Sequence, residues 1–451
     1  MKDQDTITTN QFQLLKQRRF APLFWTQFFG GFNDNIFRNT LVVLVVFKSV
    51  QLGLSPAQVK ILPNLFAALF IFPYFLFSAF AGQLADKYEK SHLIRYLKAW
   101  EIGIAIIASV GVCTDNLVLL CVTLFFLGLQ ATAFGPVKYS ILPQALAEKE
   151  LIGGNALVEM GTFVAILVGT IAGGLLIMID PAGKVYASGA MIAVALCGFA
   201  SCWFIPKTRR DDPDMKLNWN IFTGTWDLMK YAAKDRSVFW CVIALSWFWF
   251  YGVLFLTQIA AYTKDYIGGN DSVNVLILSL FSIGVGIGSM LCERLSKHRI
   301  ELGLVPLGAF GITLFVCIWY FVSPGEHHGA LIGIGQFLSE PRSWFVMMCL
   351  LGMTICAGIF TVPMYAYIQH KTHEKYRSRI IAANNIFNAI YMVLASGFAM
   401  LVFKLGFSIP QLFFIVGIMN LIYCVWIFKK VPEFMQRFKI LFLRPEGKRV
   451  P

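Results

Sequence analysis

Asp34 lies near the middle of an apolar stretch, WTQFFGGFNDNIFRNTLVVLVVF. Gln27, Asp34 and Arg38 recur at i, i+7 and i+11, so a helix places them on one face. A charge at bilayer depth costs about 2.5–3.5 kcal/mol on insertion scales, so such residues face a cavity or a partner. Asn33, Asn35 and Asn39 crowd the same stretch. The face reads as the wall of a polar pathway, and the chemistry it implies is passage of a polar group through a membrane. A competing reading is an Asp34–Arg38 pair, one turn apart, that only cancels charge.

Other candidate chemistries are weak. GVGIGS, at Gly284, Gly286 and Gly288, lacks the strand and the G-x-x-G spacing of a dinucleotide site and reads as close helix packing. The chain has no GxxxxGK[ST] phosphate loop, no serine-nucleophile motif, no HxxxxD acyltransferase motif and no metal-ligand spacing. No cofactor or metal is therefore expected, and the chain does not read as an enzyme. His298, His327, His328, His370 and His373 fall in expected loops and read as solvated. The ten cysteines are scattered, mostly inside apolar spans, and read as packing residues.

The elements that must position Asp34 follow from composition. The chain is 57% hydrophobic and 14% charged, whereas a soluble domain of this length would have more charge and fewer apolar residues. About twelve apolar stretches reach bilayer-crossing length: 21–47, 61–84, 94–113, 116–136, 155–179, 187–205, 238–263, 274–294, 302–323, 344–368, 381–404 and 410–428. The net charge of +13 is concentrated in alternate loops. Lys16, Arg18 and Arg19 precede span one, Lys87, Lys90 and Arg95 follow span two, and Lys207, Arg209 and Arg210 open the central loop. Arg294, Lys297 and Arg299 follow span eight; Lys371, Lys375, Arg377 and Arg379 follow span ten. The positive-inside rule then puts both termini and the central loop in the cytoplasm. The basic excess is topological, so nucleic acid is not an expected partner; the lipid bilayer is. No cleaved signal peptide is expected. The basic tail reads as a stop-transfer flank, with contact to anionic lipid as the alternative.

The polar stretch 206–237 divides the chain into six spans plus six. The expected organisation is a cytoplasmic segment 1–19, a six-helix bundle 20–205, the loop 206–237, a second bundle 238–430 and a tail 431–451. Within the loop, Asn220 to Ala233 carries Ile221, Trp226, Leu228 and Met229 at helical spacing and reads as an interfacial amphipathic helix. The halves echo one another. Asp86-Lys87-x-x-Lys90 after span two matches Glu293-Arg294-x-x-Lys297 after span eight. GPVKYSILPQ ends span four and GGNALVEM opens span five; VPMYAYIQ ends span ten and AANNIFNAI opens span eleven. Pro136 to Asn155 is 19 residues and Pro363 to Asn384 is 21, which supports an internal repeat.

GQLADKYEK, from Gly82 to Lys90, resembles the signature GxxxDRxGRR of the major facilitator superfamily, with Lys87 for Arg and Glu89 for the second Gly. Its physical logic is a latch. Gly82 permits close helix contact, and Asp86 reaches a basic side chain or the positive end of a neighbouring helix. The bland alternative is an ordinary charged turn. Lys138, ending span four, and Glu159, opening span five, read either as an intracellular gate with Asp86 or as a static pair. Asn155, Glu159 and Thr162 share a face that Gly169 and Gly173 continue. In span seven, Trp247, Tyr251 and Gln258 suit the wall of an apolar cavity, with packing against lipid as the plainer reading. Asn384, Asn385 and Asn388 need partners if buried in hydrocarbon.

FGGFNDN, FGPVKYSILP, GNALVEMGTFVAILVGTIAGG, SWFWFYGVLFLTQ and IELGLVPLG together resemble the bacterial lysophospholipid transporter branch of that superfamily, over about residues 18–430. The likeness is to the transporter portion of fusion proteins in which an acyltransferase domain follows the twelfth helix; this chain stops after GKRVP. The resemblance implies an all-α membrane fold of twelve transmembrane helices in two six-helix bundles around a central cavity. It implies import of lysophospholipids from the outer to the inner leaflet of the cytoplasmic membrane, for re-acylation by an acyltransferase partner. Asp34, Asn33 and Asn35 would line the cleft, and Lys138 and Glu159 would serve the gate. Where some members carry a basic residue in span seven, this chain has Leu256, Thr257 and Gln258, so phosphate recognition would fall to Arg38 or Lys138. An intramembrane carboxylate suits proton or sodium coupling, whereas downhill movement drawn by re-acylation needs neither. Two other readings stay open: a proton-coupled exporter of small amphipathic compounds, and a non-transporting platform for an acyltransferase.

Overall fold

Inside lipid a backbone must satisfy its own N–H and C=O groups, so each apolar stretch closes its hydrogen bonds as a helix. The computed structural model describes residues 10–47, 49 and 52–442. Among them are twelve long helices: α1 Ala21–Phe47, α2 Pro56–Lys87, α3 Lys90–Cys113, α4 Leu117–Ser140, α5 Leu151–Ile177, α6 Gly183–Cys202, α7 Arg236–Tyr262, α8 Asp271–Leu295, α9 Leu304–Val322, α10 Pro341–Lys371, α11 Arg377–Lys404 and α12 Ile409–Lys430. Eleven are long and apolar enough to cross a membrane by composition; α1, diluted by its asparagines and charges, is the twelfth. Local chemistry sets their starts. Asn116, Asp235 and Asn270 cap α4, α7 and α8, and Ser408 with Gln411 forms a capping box on α12.

By contacts the described residues form two units. The first holds Met1–Ala147, Gly161–Ala232 and Thr372–Ala389; the second holds Glu148–Met160, Ala233–Lys371 and Ile390–Pro451. These units cut across the six-plus-six division of the sequence. The opening of α5 groups with the second unit and the opening of α11 with the first.

Packing inside the units repeats with an offset of six helices. In the first, α2 packs on α4, α3 on α4 and α3 on α6; in the second, α8 packs on α10, α9 on α10 and α9 on α12. The first core joins Ile36, Phe37 and Leu41 of α1 to Ile104 and Ala108 of α3, Leu124 of α4 and Met191 of α6. A core cluster of the second joins Ile152 and Ala156 to Cys292, Leu304, Ile359 and Val362. The glycines of α8 serve packing: a side chain at Gly284 or Gly288 would collide with Thr354 or the Ile355 backbone.

The amphipathic segment of the central loop is the helix Ile221–Ala232. Its side buried in the protein is Gly224, Leu228 and Ala232, while Phe222 and Trp226 are exposed. A further short helix, Glu433–Phe442, lies in the expected tail.

Candidate functional site

The polar face of α1 is held in register by α5. Gly169 and Gly173 have no room for a side chain beside the α1 backbone at Phe32 and Ile36. Asn39 Nδ2 donates to Thr170 O at 2.6 Å and Thr40 Oγ1 to Gly173 O at 3.2 Å. Gln27 accepts from Thr162 Oγ1 at 3.0 Å, and Asn35 turns its amide back to Gly31 O at 2.8 Å. On this fixed face the buried oxygens Asp34 Oδ1 and Asn33 Oδ1 find no hydrogen-bond partner among the described residues. Asp34 and Arg38 form no ion pair there either. The guanidinium instead lies 4.6 Å from the Phe70 ring centroid. Beside it is a cavity of about 160 Å³ lined by Arg38, Asn35, Asn39 and Thr170 with Pro63 and Phe66.

The charges whose fields reach Asp34 are Glu101, Lys98, Arg38 and Lys138. Lys98 and Glu101 were overlooked from sequence. They form a fully buried pair on α3, with Lys98 Nζ 2.7 Å from Glu101 Oε2. Gln130 of α4 donates to the same oxygen at 3.0 Å. Gly30, one turn before Asp34, is where the pair meets α1: a Cβ there would stand 2.5 Å from Lys98 Nζ. The signal was available, since KAWE puts two charges inside the third apolar stretch.

A second site lies at the α2–α3 turn. Asp86 is fully buried; its carboxylate accepts from Ser378 N at 3.0 Å and Arg379 Nε at 2.9 Å. Ser378 is in the first turn of α11, so Asp86 meets both the positive end of a helix and a basic side chain. Gly82 permits the approach: a Cβ there would lie 2.7 Å from Ala382 Cβ. Lys90 turns elsewhere, forming a buried ion pair with Asp211 of the central loop. Gln144 also donates to Asp211, at 2.7 Å, and the Asp86 carbonyl accepts from Asp211 N and Asp212 N. Lys87 reaches no closer than 6.0 Å to the Tyr88 ring centroid. Glu89 caps α3. Burial disfavours its charge, but hydrogen bonds from Ser91 and Thr208, with His92 beside it, outweigh burial and hold the carboxyl at about 2.

The echoed motifs meet in crossed pairs. In the first unit a Cβ on Gly135, ending α4, would stand 2.8 Å from Asn385 Nδ2 of α11. In the second, Asn155 of α5 and Gln369 of α10 exchange hydrogen bonds of 2.7 and 2.9 Å. Asn384 and Asn388 are buried in the first unit with Asn385. Lys138 stacks 4.6 Å over Tyr139 in the first unit, whereas Glu159 is buried in the second. Glu293 is buried beside His298, 3.2 Å away, so His298 is not merely solvated; His370 lies within α10, not in a loop. Arg294 ends α8. Gln258 is half-buried and bonds weakly to Thr257. Trp247 does not face lipid: it stacks between Phe250 and Tyr423 and donates to Asn420 at 2.8 Å.

Comparison with known proteins agrees with this geometry. Among curated proteins, the lysophospholipid transporter LplT of Photorhabdus laumondii is 23% identical over 402 residues, covering 87% of this chain and 91% of that one. LplT of Escherichia coli is 22% identical over 392 residues, 85% and 88% of the two chains. The solved Escherichia coli fucose:proton symporter FucP superposes with a TM-score of 0.64 at 15% identity, covering 91% of this chain and 98% of that one. The Major Facilitator Superfamily model matches residues 23–395. A charged face inside an apolar helix, paired six-helix packing and a family match over most of the sequence lead to one conclusion: this multi-pass membrane protein belongs to the Major Facilitator Superfamily of secondary transporters.

Proposed function

We propose that this transporter moves lysophospholipids from the outer to the inner leaflet of a bacterial cytoplasmic membrane, where an acyltransferase re-acylates them. The observation that carries the reading is the α1 face, where Asp34 keeps a buried oxygen without a hydrogen-bond partner between Arg38 and the Lys98–Glu101 pair. Such a face suits a charged headgroup, while the acyl chain stays in the bilayer. Likeness to lysophospholipid transporters over most of the chain supports the substrate. Asn384, Asn385 and Asn388 extend the polar route. The Asp86–Ser378–Arg379 contact is the latch that alternating access must break, and Lys138 and Glu159 are further gate residues. Both termini and the central loop are cytoplasmic, following the lysines and arginines. Asp34 can also carry the proton or sodium ion of a coupled cycle.

The test is conversion of labelled lysophosphatidylethanolamine to the diacyl lipid by spheroplasts that keep their acyltransferase but lack their own lysolipid transporter. Expression of this chain is expected to restore conversion. A well-expressed chain that restores none would overturn the reading in favour of export of small amphiphiles. Capture of the acyltransferase without lipid movement would overturn it in favour of a platform.

A further inference from the structure

Arg38 and Asp34 are one turn apart, yet neither forms an ion pair with the other among the described residues. The guanidinium lies over the Phe70 ring, and its N–H donors form a planar fork that fits two oxygens of one phosphate. The adjoining cavity measures about 160 Å³. That is room for a phosphate group but not for a whole lipid. Asn35 and Asn39 line it; each spends one amide proton on a backbone carbonyl and keeps a second.

We propose that the Arg38 cavity is a phosphate-binding subsite. Its occupant is the phosphate of a phospholipid headgroup, with the headgroup's ammonium directed to Asp34 Oδ1. One helical turn, about 6 Å, separates the two residues, a span on the scale of the two-carbon linker between phosphate and ammonium. The choice of a lipid phosphate rests on the proposed function; binding of a phosphate group does not.

The experiment titrates the purified full-length chain with lysophosphatidylethanolamine, its deacylated headgroup glycerophosphoethanolamine, inorganic phosphate and a neutral monoacylglycerol. The same series is run on Arg38→Gln, Arg38→Lys and Phe70→Leu. Loss of the fork weakens lysolipid binding about ten- to a hundredfold in Arg38→Gln, with partial recovery in Arg38→Lys and a weaker loss in Phe70→Leu. Monoacylglycerol binding stays unchanged. Unaltered lysolipid binding by a folded Arg38→Gln overturns the subsite; so does a parent chain that binds monoacylglycerol as tightly as lysolipid. If Arg38→Gln does not fold, Phe70→Leu and Arg38→Lys decide: parental binding by both overturns the subsite. Inorganic phosphate that binds as tightly as the glycerophosphodiester, and depends on Arg38, supports the subsite and overturns its lipid source. Phosphate binding without lysolipid transport by the parent removes the proposed function and leaves the subsite. Transport at parental rate by Arg38→Gln does the reverse.

Discussion

At the scale of residues, the buried Lys98–Glu101 pair decides how tolerant the α1 face is. Removing one partner of a buried pair leaves an uncompensated charge and costs about 3–5 kcal/mol, whereas removing both can be nearly neutral. Lys98→Met or Glu101→Gln alone should therefore lower the melting temperature of the purified protein sharply. The double variant should recover most of the loss, and additive losses would contradict the pairing. Glu89 gives a pH test. Its folded value of about 2 lies below the ordinary 4.5, so its stabilisation is complete above about 4.5 and is lost as pH falls toward 2. Hydrogen exchange at the start of α3 should quicken over that range in the parent, and Glu89→Gln should abolish the pH dependence. Asp34 was legible because it interrupts an apolar run at mid-span. Lys98 and Glu101 were passed over because they lie near the basic flank of span three, where charges are expected. Arg379 reads only as a loop charge and Asp211 is not singled out; their partners are distant in sequence, and nothing local announces them.

At the scale of elements, length and apolarity located the long helices, and α5 and α11 proved to start earlier than the spans expected from 155 and 381. At α5 the reason is local: Asn155 Nδ2 donates to Leu151 O one turn back, so the polar opening of the span is already helix. The helix Ile221–Ala232 matched its segment. The α2–α11 contact yields the sharpest element-level prediction. Gly82→Val would place its Cβ 2.7 Å from Ala382 Cβ, and overpacking of this kind costs about 1–3 kcal/mol. The variant should insert and express but lose transport, and hydrogen exchange at the Ser378 amide, which donates to Asp86, should quicken. Parental transport with parental exchange would mean that the contact is not part of the cycle.

At the scale of the whole molecule, the repeat was legible as echoed motifs, and the six-helix offset in packing is its physical form. The grouping of the α5 opening with the second unit and of the α11 opening with the first was not legible. It depends on pairs such as Asp86 with Ser378 and Asn155 with Gln369, which composition and periodicity do not encode. The proposed passage of lysolipids along the Asp34 face is tested most directly by leaflet transfer of labelled lysophosphatidylethanolamine in proteoliposomes holding equal amounts of the parent chain or of Asp34→Asn. Rapid transfer by the parent and a loss of at least about tenfold in the variant are expected, the order that follows when a charge-assisted contact is removed. Equal transfer by the two proteins, or no transfer by a folded parent, would contradict it.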